Sequence, residues 1–276
     1  MSTLIANPVS QTATASAPER RSITRLLAPL DQIADSSPRM ISKSHGQSES
    51  DGQSCRLPRY VYLGPAGGGD WIRLGLFAAI HGDEPEGALA LARFISGLEQ
   101  NPETAKGYAL FIYPICNPTG LEDNTRHSRS GKDLNRAFWR QSPDPEIRYL
   151  ESEICLHAFD GIITLHSDDT SDGLYGFVGG AVLSENLLEP ALREAGRFLP
   201  RNRRRKIDGF AARRGIVTDC YPGVLGSIPG LPRPPFEITF ETPQKFPLHR
   251  QVEAFSAALK TILIEYRCLM AIGQNI

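Results

Sequence analysis

The sequence predicts an α/β fold, with a mixed, largely parallel sheet sandwiched by helices in a single domain. Short apolar runs that end in polar residues alternate along the chain with segments whose apolar residues recur at helical spacing. This alternation is typical of strands connected by helices that cover the sheet. Residues 1–21 are rich in Ser, Thr, Ala and Pro and have no apolar period, so we expect a disordered tail followed by one domain over residues 22–276.

Apolar periodicity and the positions of Gly and Pro define the individual elements. One helix is predicted from Ile23 to the Ser37-Pro38 break, and further helices are predicted at 88–98, 146–159, 186–198 and 248–266. Strands are predicted at 40–44, 57–63, 74–80, 108–115, 161–165, 173–180 and 236–240. Polar or Gly/Pro-rich stretches are expected to be loops at 46–54, 116–140, 201–214 and 221–235.

Composition argues against several classes of protein. The 276 residues carry a formal net charge of -1 and 41% hydrophobic residues, which gives no reason to expect nucleic acid or an anionic membrane as a partner. No apolar run approaches the roughly 18 residues that span a bilayer, and no basic segment followed by an apolar one suggests a secretory signal. The five cysteines are scattered without a C-x-x-C pair, which predicts neither a cysteine metal site nor a disulfide framework and favours a cytoplasmic location.

The stretch from Leu74 to Gly87 carries the first candidate functional groups. Its apolar run reads as a buried strand that ends at His81, and Glu84 follows three residues later, just before Pro85 opens a helix. Open α/β sheets bind their ligands at the carboxyl ends of strands. The stretch therefore predicts two metal-ligand residue types at a sheet edge.

Two later strand ends carry matching groups. His166 follows the apolar run 161–165, and Glu241 follows the run 236–240. With His81 and Glu84 they supply what a catalytic zinc site needs: three N/O ligands, an open position and a further carboxylate as general base. Spacing alone leaves alternatives open, because H-x-x-E also occurs as a surface pair and a lone histidine is often a hydrogen-bonded loop residue.

Six motifs in order favour the metal site. They are His81-Gly-Asp-Glu84, Asn117-Pro-Thr-Gly120, Thr125-Arg126, Gly131-Lys-Asp-Leu-Asn-Arg136, Leu165-His166-Ser167 and Thr239-Phe-Glu241. Together they resemble the ordered signatures of the M14-type zinc carboxypeptidases, a clan that includes the succinylglutamate desuccinylase and aspartoacylase branch. The resemblance runs from about Ile23 to the C-terminal helix.

The resemblance implies a role for each matching strand-end residue. His81, Glu84 and His166 would bind one Zn2+ per chain, and Glu241 would be the general base that takes a proton from water. A carboxylate beside a zinc ion can do this at neutral pH because the ion lowers the pKa of water to about 7. The acidic neighbours of the first motif, Asp83 and Glu86, have no assigned role; we expect them to support the ligands or to lie at a helix start.

Loop residues would bind the substrate in the same resemblance. Arg126 would lie beside the scissile carbonyl, and Asn135 with Arg136 would hold a substrate carboxylate. The planar fork of arginine suits both tasks. Arg129 lies in the same loop and is a rival for the Arg126 role; the Thr-Arg match favours Arg126.

The resemblance implies a zinc-dependent hydrolase that cleaves an amide next to a free carboxylate. We favour a metallocarboxypeptidase that acts on short peptides, including cell-wall peptides, because only one closing helix fits after Glu241, whereas the deacylase branch normally has a further domain. An N-acyl amino acid deacylase remains the alternative, since one zinc site serves both reactions. The substrate would then be a small peptide or an N-acyl amino acid.

Two features stay open. Tyr221 resembles part of a loop tyrosine of bacterial family members, but a tyrosine packed in a Gly/Pro-rich loop explains it equally well. The basic run from Arg201 to Arg214 is typical of a solvated loop and could also steer an acidic substrate toward the cleft.

Other enzyme classes lack their motifs. Gly46-Gln-Ser-Glu-Ser50 comes nearest to the G-x-S-x-G of serine hydrolases and lacks the second glycine, and Gly131-Lys132 is followed by Asp, so no phosphate-binding loop is present. The remaining alternative is an inactive binding module with the same fold. It is disfavoured because ligands, base and substrate clamp occur together.

Overall fold

The computed structural model describes residues 20–50 and 53–273, so most of the predicted tail lies outside the described residues. Its helices are α1 Ile23–Ser36, α2 Glu86–Gln100, α3 Pro118–Asp123, α4 Pro145–His157, α5 Ala181–Leu183, α6 Glu189–Ala195 and α7 Leu248–Gly273. Its strands are β1 Met40–Ser50, β2 Gln53–Leu63, β3 Ile72–Ala78, β4 Tyr108–Tyr113, β5 Gly161–Asp168, β6 Tyr175–Val178, β7 Lys206–Ile207, β8 Phe210–Arg213, β9 Ile216–Val217 and β10 Phe236–Pro243.

The strands form one mixed sheet, as the sequence predicted, in the order β1-β2-β4-β3-β5-β10-β6-β9-β8-β7. The four central strands β4, β3, β5 and β10 run parallel, and a short parallel pair joins β6 to β9. The other neighbours pair antiparallel. Parallel pairing is thus concentrated at the centre, and the expectation of a largely parallel sheet is too strong for the flanks.

Helices cover both faces of the sheet. Leu74 and Leu76 of β3 point into the larger core, which α1, α2, α6 and α7 share. Phe77, on the opposite face of the same strand, packs with Ile147 and Ile154 of α4 in the smaller core. This alternation follows from the period of two along a strand and produces the predicted sandwich. No helix within the described ranges is long and apolar enough to cross a membrane.

The predicted loop at 46–54 is wrong, because β1 and β2 form a long antiparallel hairpin paired up to Ser50 and Gln53. Ladder pairing with a partner strand overrides the weak strand propensity of this Ser/Gly-rich segment. The missed signal is the dipeptide Asp51-Gly52, typical of two-residue hairpin loops, which itself lies outside the described residues.

Three further boundaries differ from the predictions. The stretch 116–140 contains α3 and a 3-10 turn, Leu134–Arg136. The predicted helix 186–198 begins earlier, at Ala181, and includes a π-helical segment, Ser184–Leu188. The basic run 201–214 is not simply a loop, because β7 and β8 lie within it, and β9 follows between β6 and β8 in the sheet. Gly209 and Gly215, with φ of +87° and +74°, permit the tight turns between these strands.

Candidate metal centre

The sheet brings three strand ends together. His166 and Glu241 are direct partners in the parallel register of β5 and β10, and Ala78, the last residue of β3, pairs with Leu165. Beyond β3 the backbone turns sharply at Ala79, whose φ of +49° is costly for a residue with a side chain. This turn leads directly into the segment that carries His81.

A close backbone approach fixes that segment. A Cβ on Gly82 would lie 1.9 Å from the carbonyl carbon of Gly120, so only glycine fits. Asn117 caps α3 by accepting from the Gly120 N–H at 2.9 Å and donates to the Ile80 carbonyl at 3.2 Å. The first two sequence motifs are therefore two turns packed against each other.

His81, Glu84 and His166 converge in the interior. The Nδ1 atoms of the two histidines are 3.2 Å apart, and the Glu84 carboxylate lies 2.6 Å from His81 Nδ1 and 3.0 Å from His166 Nδ1. A tetrahedral zinc ion with bonds of 2.0–2.1 Å would hold such ligand atoms roughly 3.3 Å apart. All three residues are buried, so the donor set and its spacing fit a bound metal ion.

The electrostatics of the cluster favour a cation. Burial would lower the pKa of His81, but the carboxylates of Glu84 and Asp133 outweigh it and raise that pKa to about 8. Burial lowers the pKa of His166, and Glu84 compensates only in part. Burial would raise the pKa of Glu84, yet the two histidines hold it well below its ordinary value. A carboxylate kept ionised between two imidazoles is suited to a metal ligand.

Asp133 is a site residue that the sequence analysis missed. Its Oδ1 lies 3.4 Å from His81 Nε2, an electrostatic contact whose geometry is too poor for a hydrogen bond, and its Oδ2 accepts from Arg126 Nη2 at 3.1 Å. Carboxylates behind a metal-binding histidine orient the ring and increase its basicity. The available signal was its position in the motif that also contains Asn135 and Arg136.

Glu241 lines the same cavity but is not part of the His/Glu/His cluster. Burial and then the carboxylates of Glu84 and Asp168 raise the pKa of Glu241 well above its ordinary value. A raised pKa in a cleft is a common property of catalytic acids and bases.

The two candidate arginines occupy different places. Arg126 lies beside the cluster, with Nη1 3.3 Å from His81 Nδ1 and a side chain that is 41% exposed. Arg129 is instead bound by Glu122 and Asp123 at 3.0 and 2.8 Å, and it does not line the cavity. Its side chain is committed to α3, so the geometry favours Arg126 over its rival.

Asn135, Arg136 and Tyr221 form another wall of the cavity. Asn135 Oδ1 accepts from the Leu225 N–H at 2.8 Å and so ties its turn to the loop after β9. The Arg136 guanidinium stacks on the Tyr221 ring, 4.5 Å from its centroid, while the tyrosine hydroxyl donates to the Asp208 carbonyl at 2.6 Å. An arginine and an amide thus line the same cavity of about 340 Å³ as the His/Glu/His cluster.

The acidic neighbours of the first motif have structural contacts. Glu86 begins α2 and accepts from the Ser167 hydroxyl at 2.9 Å, which connects the helix to the strand that carries His166. The Asp83 carbonyl accepts from Gln244 at 3.1 Å, and its side chain borders the cavity.

Comparison with known families gives a match over about half of the chain. The model of the succinylglutamate desuccinylase/aspartoacylase catalytic domain matches residues 70–200. That range includes the His/Glu/His cluster and ends before Glu241. No curated protein matches the chain significantly.

Solved structures share the fold at low identity. A candidate metallopeptidase from Shewanella amazonensis is 22% identical with a TM-score of 0.73, over 87% of this chain and 92% of that one. A metallo-carboxypeptidase from Burkholderia cenocepacia is 15% identical with a TM-score of 0.69, over 91% and 70%. A metallo-carboxypeptidase from Pseudomonas aeruginosa, solved with (2-guanidinoethylmercapto)succinic acid, is 18% identical with a TM-score of 0.65, over 89% and 69%.

These findings confirm the resemblance that the motifs predicted: the chain has the zinc carboxypeptidase-like fold, and its residues 70–200 match the succinylglutamate desuccinylase/aspartoacylase branch of that clan.

Proposed function

We propose that this protein is a zinc-dependent hydrolase that cleaves an amide bond next to a free carboxylate, and that it is a metallocarboxypeptidase acting on short peptides, with cell-wall peptides among the candidates. The observation that carries the proposal is the convergence of a buried His81/Glu84/His166 cluster with Glu241 and Arg126 in one cavity. A cytoplasmic location, inferred from the scattered cysteines, remains part of this proposal.

One Zn2+ would be held by His81 Nδ1, His166 Nδ1 and the Glu84 carboxylate. Once bound, such an ion supplies a Lewis acid that polarises the scissile carbonyl and acidifies water. Two imidazoles and one carboxylate, with a free position facing a cavity, are the donor set of many catalytic zinc sites.

Glu241 would act as the general base. It lies beside His166 in the sheet register, lines the cavity and is not needed as a ligand. Its raised pKa suits a carboxylate that takes a proton from water and returns it to the leaving amine. A cation bound at the cluster would lower that pKa again, since it opposes the repulsion from Glu84.

The two arginines would contact different parts of the substrate, one the scissile carbonyl and the other the terminal carboxylate. Arg126 is anchored by Asp133 and exposed toward the cavity, so it can stabilise the negative charge that develops on the carbonyl oxygen. Arg136 with Asn135 would hold the carboxylate of the leaving residue. In support, the Pseudomonas aeruginosa relative binds a succinic acid derivative, which is itself a dicarboxylate.

A second candidate is an N-acyl amino acid deacylase, because the family model that matches the chain is the desuccinylase/aspartoacylase domain. Both reactions break an amide whose amine-side product carries a carboxylate. The residues named above would have the same roles in either case. The two activities differ in the group on the acyl side: a peptide in one, a small acid in the other.

The test is an activity screen on protein loaded with zinc, together with metal analysis of the purified chain. Short peptides with a free C-terminal carboxylate are compared with the same peptides amidated at that end, and with N-succinyl and N-acetyl amino acids. Release of the last residue from free peptides alone supports the carboxypeptidase, and release of acyl groups alone supports the deacylase. A chain without stoichiometric zinc, and without activity that chelation removes, would be a binding module and would end the proposal.

A further inference from the structure

A basic groove lies outside the metal cavity, on the far side of the loop after β5. We define the arginine groove by five lining residues, Arg193, Arg197, Arg201, Arg203 and Arg204; it has a volume of about 860 Å³. Arg193 and Arg197 come from α6 and the turn after it, and the other three from the segment that follows Pro200. The basic run 201–214 therefore lies beside the two arginines from α6 and the turn after it.

The charge of the arginine groove is only partly neutralised. Arg197 pairs with Glu194 at 2.9 Å, and Arg201 pairs with Glu189 at 2.5 Å. Neither Arg193 nor Arg203 has a carboxylate within 4.0 Å in the part of the chain that the structure describes. A concave surface with unpaired guanidinium groups attracts anions.

Among the residues that the structure describes, one acid lines the groove, and it is already paired twice. Asp172 pairs with Arg204 and also with Lys245, at 2.5 Å from the lysine Nζ. It therefore cannot cancel the charge of Arg193 or Arg203. The groove keeps a local positive excess on a chain whose formal net charge is -1.

The floor of the arginine groove is a built part of the fold. Leu174 donates to the Pro200 carbonyl at 2.8 Å and accepts from the Asn202 N–H at 2.9 Å. The buried Asn202 side chain donates to the Ser171 hydroxyl at 2.9 Å, and Arg201 donates to the Arg214 carbonyl. These contacts hold the backbone between the arginines against the sheet, so the guanidinium groups extend from a fixed base.

One loop separates the arginine groove from the metal cavity. Asp168, Asp169 and Thr170 line the cavity, whereas Asp172, two residues further along, lines the groove. Arg204 Nη1 also reaches the Thr170 carbonyl at 3.5 Å. An extended chain advances about 3.3 Å per residue, so a few residues suffice to cross this loop.

We propose that the arginine groove binds acidic side chains of a peptide substrate on the acyl side of the bond to be cleaved, which makes acidic peptides the preferred substrate class. This inference rests on the proposed peptidase function. If Arg136 and Asn135 hold the terminal carboxylate, the rest of the peptide must leave the cavity at another point. A peptide that leaves past the loop 168–172 reaches the unpaired arginines of the arginine groove. A peptide with glutamates or aspartates at these positions matches the groove in charge and in reach.

The test compares two peptides that end in the same free C-terminal residues and differ upstream in a run of glutamates or a run of glutamines. The zinc-loaded protein should show a higher kcat/KM on the glutamate peptide, and high salt should abolish the preference because it screens exposed charges. The double variant Arg193→Glu with Arg203→Glu should lose about three- to tenfold of kcat/KM on the glutamate peptide only, as expected for two exposed ion pairs. The neutral double variant Arg193→Gln with Arg203→Gln should have a kcat/KM on the glutamate peptide between those of the native chain and of the glutamate variant.

A matched control changes the net charge equally at a distance. Arg25→Glu with Arg148→Glu alters exposed arginines on α1 and α4, and it should leave the preference intact. A preference that is absent in the native chain, or unchanged in the Arg193/Arg203 variants, would overturn the proposal. So would an equal loss in the control.

Binding is measured separately by fluorescence anisotropy of the labelled glutamate peptide on metal-free protein. Binding that depends on Arg193 and Arg203, without cleavage of either peptide, would support the groove while the peptidase proposal fails. A short DNA duplex serves as the competing probe. Tighter binding of DNA through the same two arginines would replace the acidic peptide with a phosphate polymer and overturn the proposal.

Discussion

His166 and Glu241 face each other on two hydrogen-bonded parallel strands, whereas Asn135 and Arg136 lie on a 3-10 turn held by individual side-chain contacts. The register of β5 and β10 runs without a break from Phe236 and Gly161 onward, so moving one of the first pair would require shifting a central strand. Moving the second pair requires only the loss of a few hydrogen bonds. The groups proposed for the chemical step and those proposed to bind the substrate are thus held with different stiffness.

Under the proposed function, this difference explains how the same metal site could serve either a peptidase or a deacylase. Central parallel strands are buried on both faces and belong to the most stable part of a domain, while loops open locally at lower free energy. Changes in the loops around Asn135 and Tyr221 can therefore alter the substrate without disturbing the cluster at His81. Substitutions among the strand-end residues and among the loop residues should therefore have different effects.

The largest effect is expected for Glu241→Gln. The amide is nearly isosteric and cannot accept a proton, so turnover should fall about 10³-fold, within the range of general acid–base contributions. Zinc content should stay near one per chain, because Glu241 lies outside the His/Glu/His cluster. Metal analysis and steady-state kinetics on the same preparation measure both quantities.

The matched control for that variant is Glu237→Gln. Glu237 lies four residues earlier on the same face of β10, is exposed, and accepts from Ser227. Its substitution should change turnover little. Near-native turnover in Glu241→Gln would remove the base role, and loss of zinc would show that Glu241 is a ligand.

A smaller effect is expected for Asp133→Asn. The native aspartate contacts both the strand-end residue His81 and the loop residue Arg126. The variant removes the charge that supports His81 and anchors Arg126. Metal affinity should fall about 10- to 100-fold, the usual effect of losing a carboxylate behind a metal-binding histidine. Competition with a chelator measures the affinity. An unchanged affinity together with reduced turnover would mean that Asp133 acts through Arg126 alone.

Asn135→Ala changes the loop residues proposed to bind the substrate and leaves the His/Glu/His cluster unaltered. It leaves the buried Leu225 N–H without its acceptor, which should lower the free energy of unfolding by about 1–3 kcal/mol. KM should rise several-fold with a small change in kcat, because the carboxylate clamp loosens while the metal cluster stays in place. Denaturant unfolding and kinetics measure the two effects. Asn186→Ala, on an exposed side chain of the π-helical segment, is the control and should change neither.

The same division explains which parts the sequence could predict. His81, His166 and Glu241 were predicted because each follows an apolar run, and parallel strands bring such ends to one edge. The tie between Asn135 and Leu225 spans 90 residues, and no local pattern encodes it. The roles of Arg126 and Arg129 were equally hard to separate, since only the fold shows that α3 carries the acids that bind Arg129.

The edges of the sheet were predicted least well. The described residues of the 46–54 segment pair across the β1–β2 hairpin, and β7 in the basic run pairs with β8 of the same run. Their composition is polar, so periodicity gives no signal, and turn dipeptides such as Asp51-Gly52 are the only local indication. Prediction from sequence succeeds here where burial dictates residue type, and fails where backbone pairing alone makes the structure.

The smallest effect is expected for Tyr221→Phe, and it decides what this loop residue does. In the structure the hydroxyl is engaged by the Asp208 carbonyl, and the ring supports Arg136. Loss of one exposed hydrogen bond should change kcat/KM by no more than about threefold, whereas Tyr221→Ala also removes the stacking and should raise KM by about two- to fivefold. Kinetics on a free peptide and its amidated form measure both variants. If Tyr221→Phe instead lowers kcat by tenfold or more, the hydroxyl must leave Asp208 for the substrate, and the loop would take part in the reaction instead of only holding Arg136.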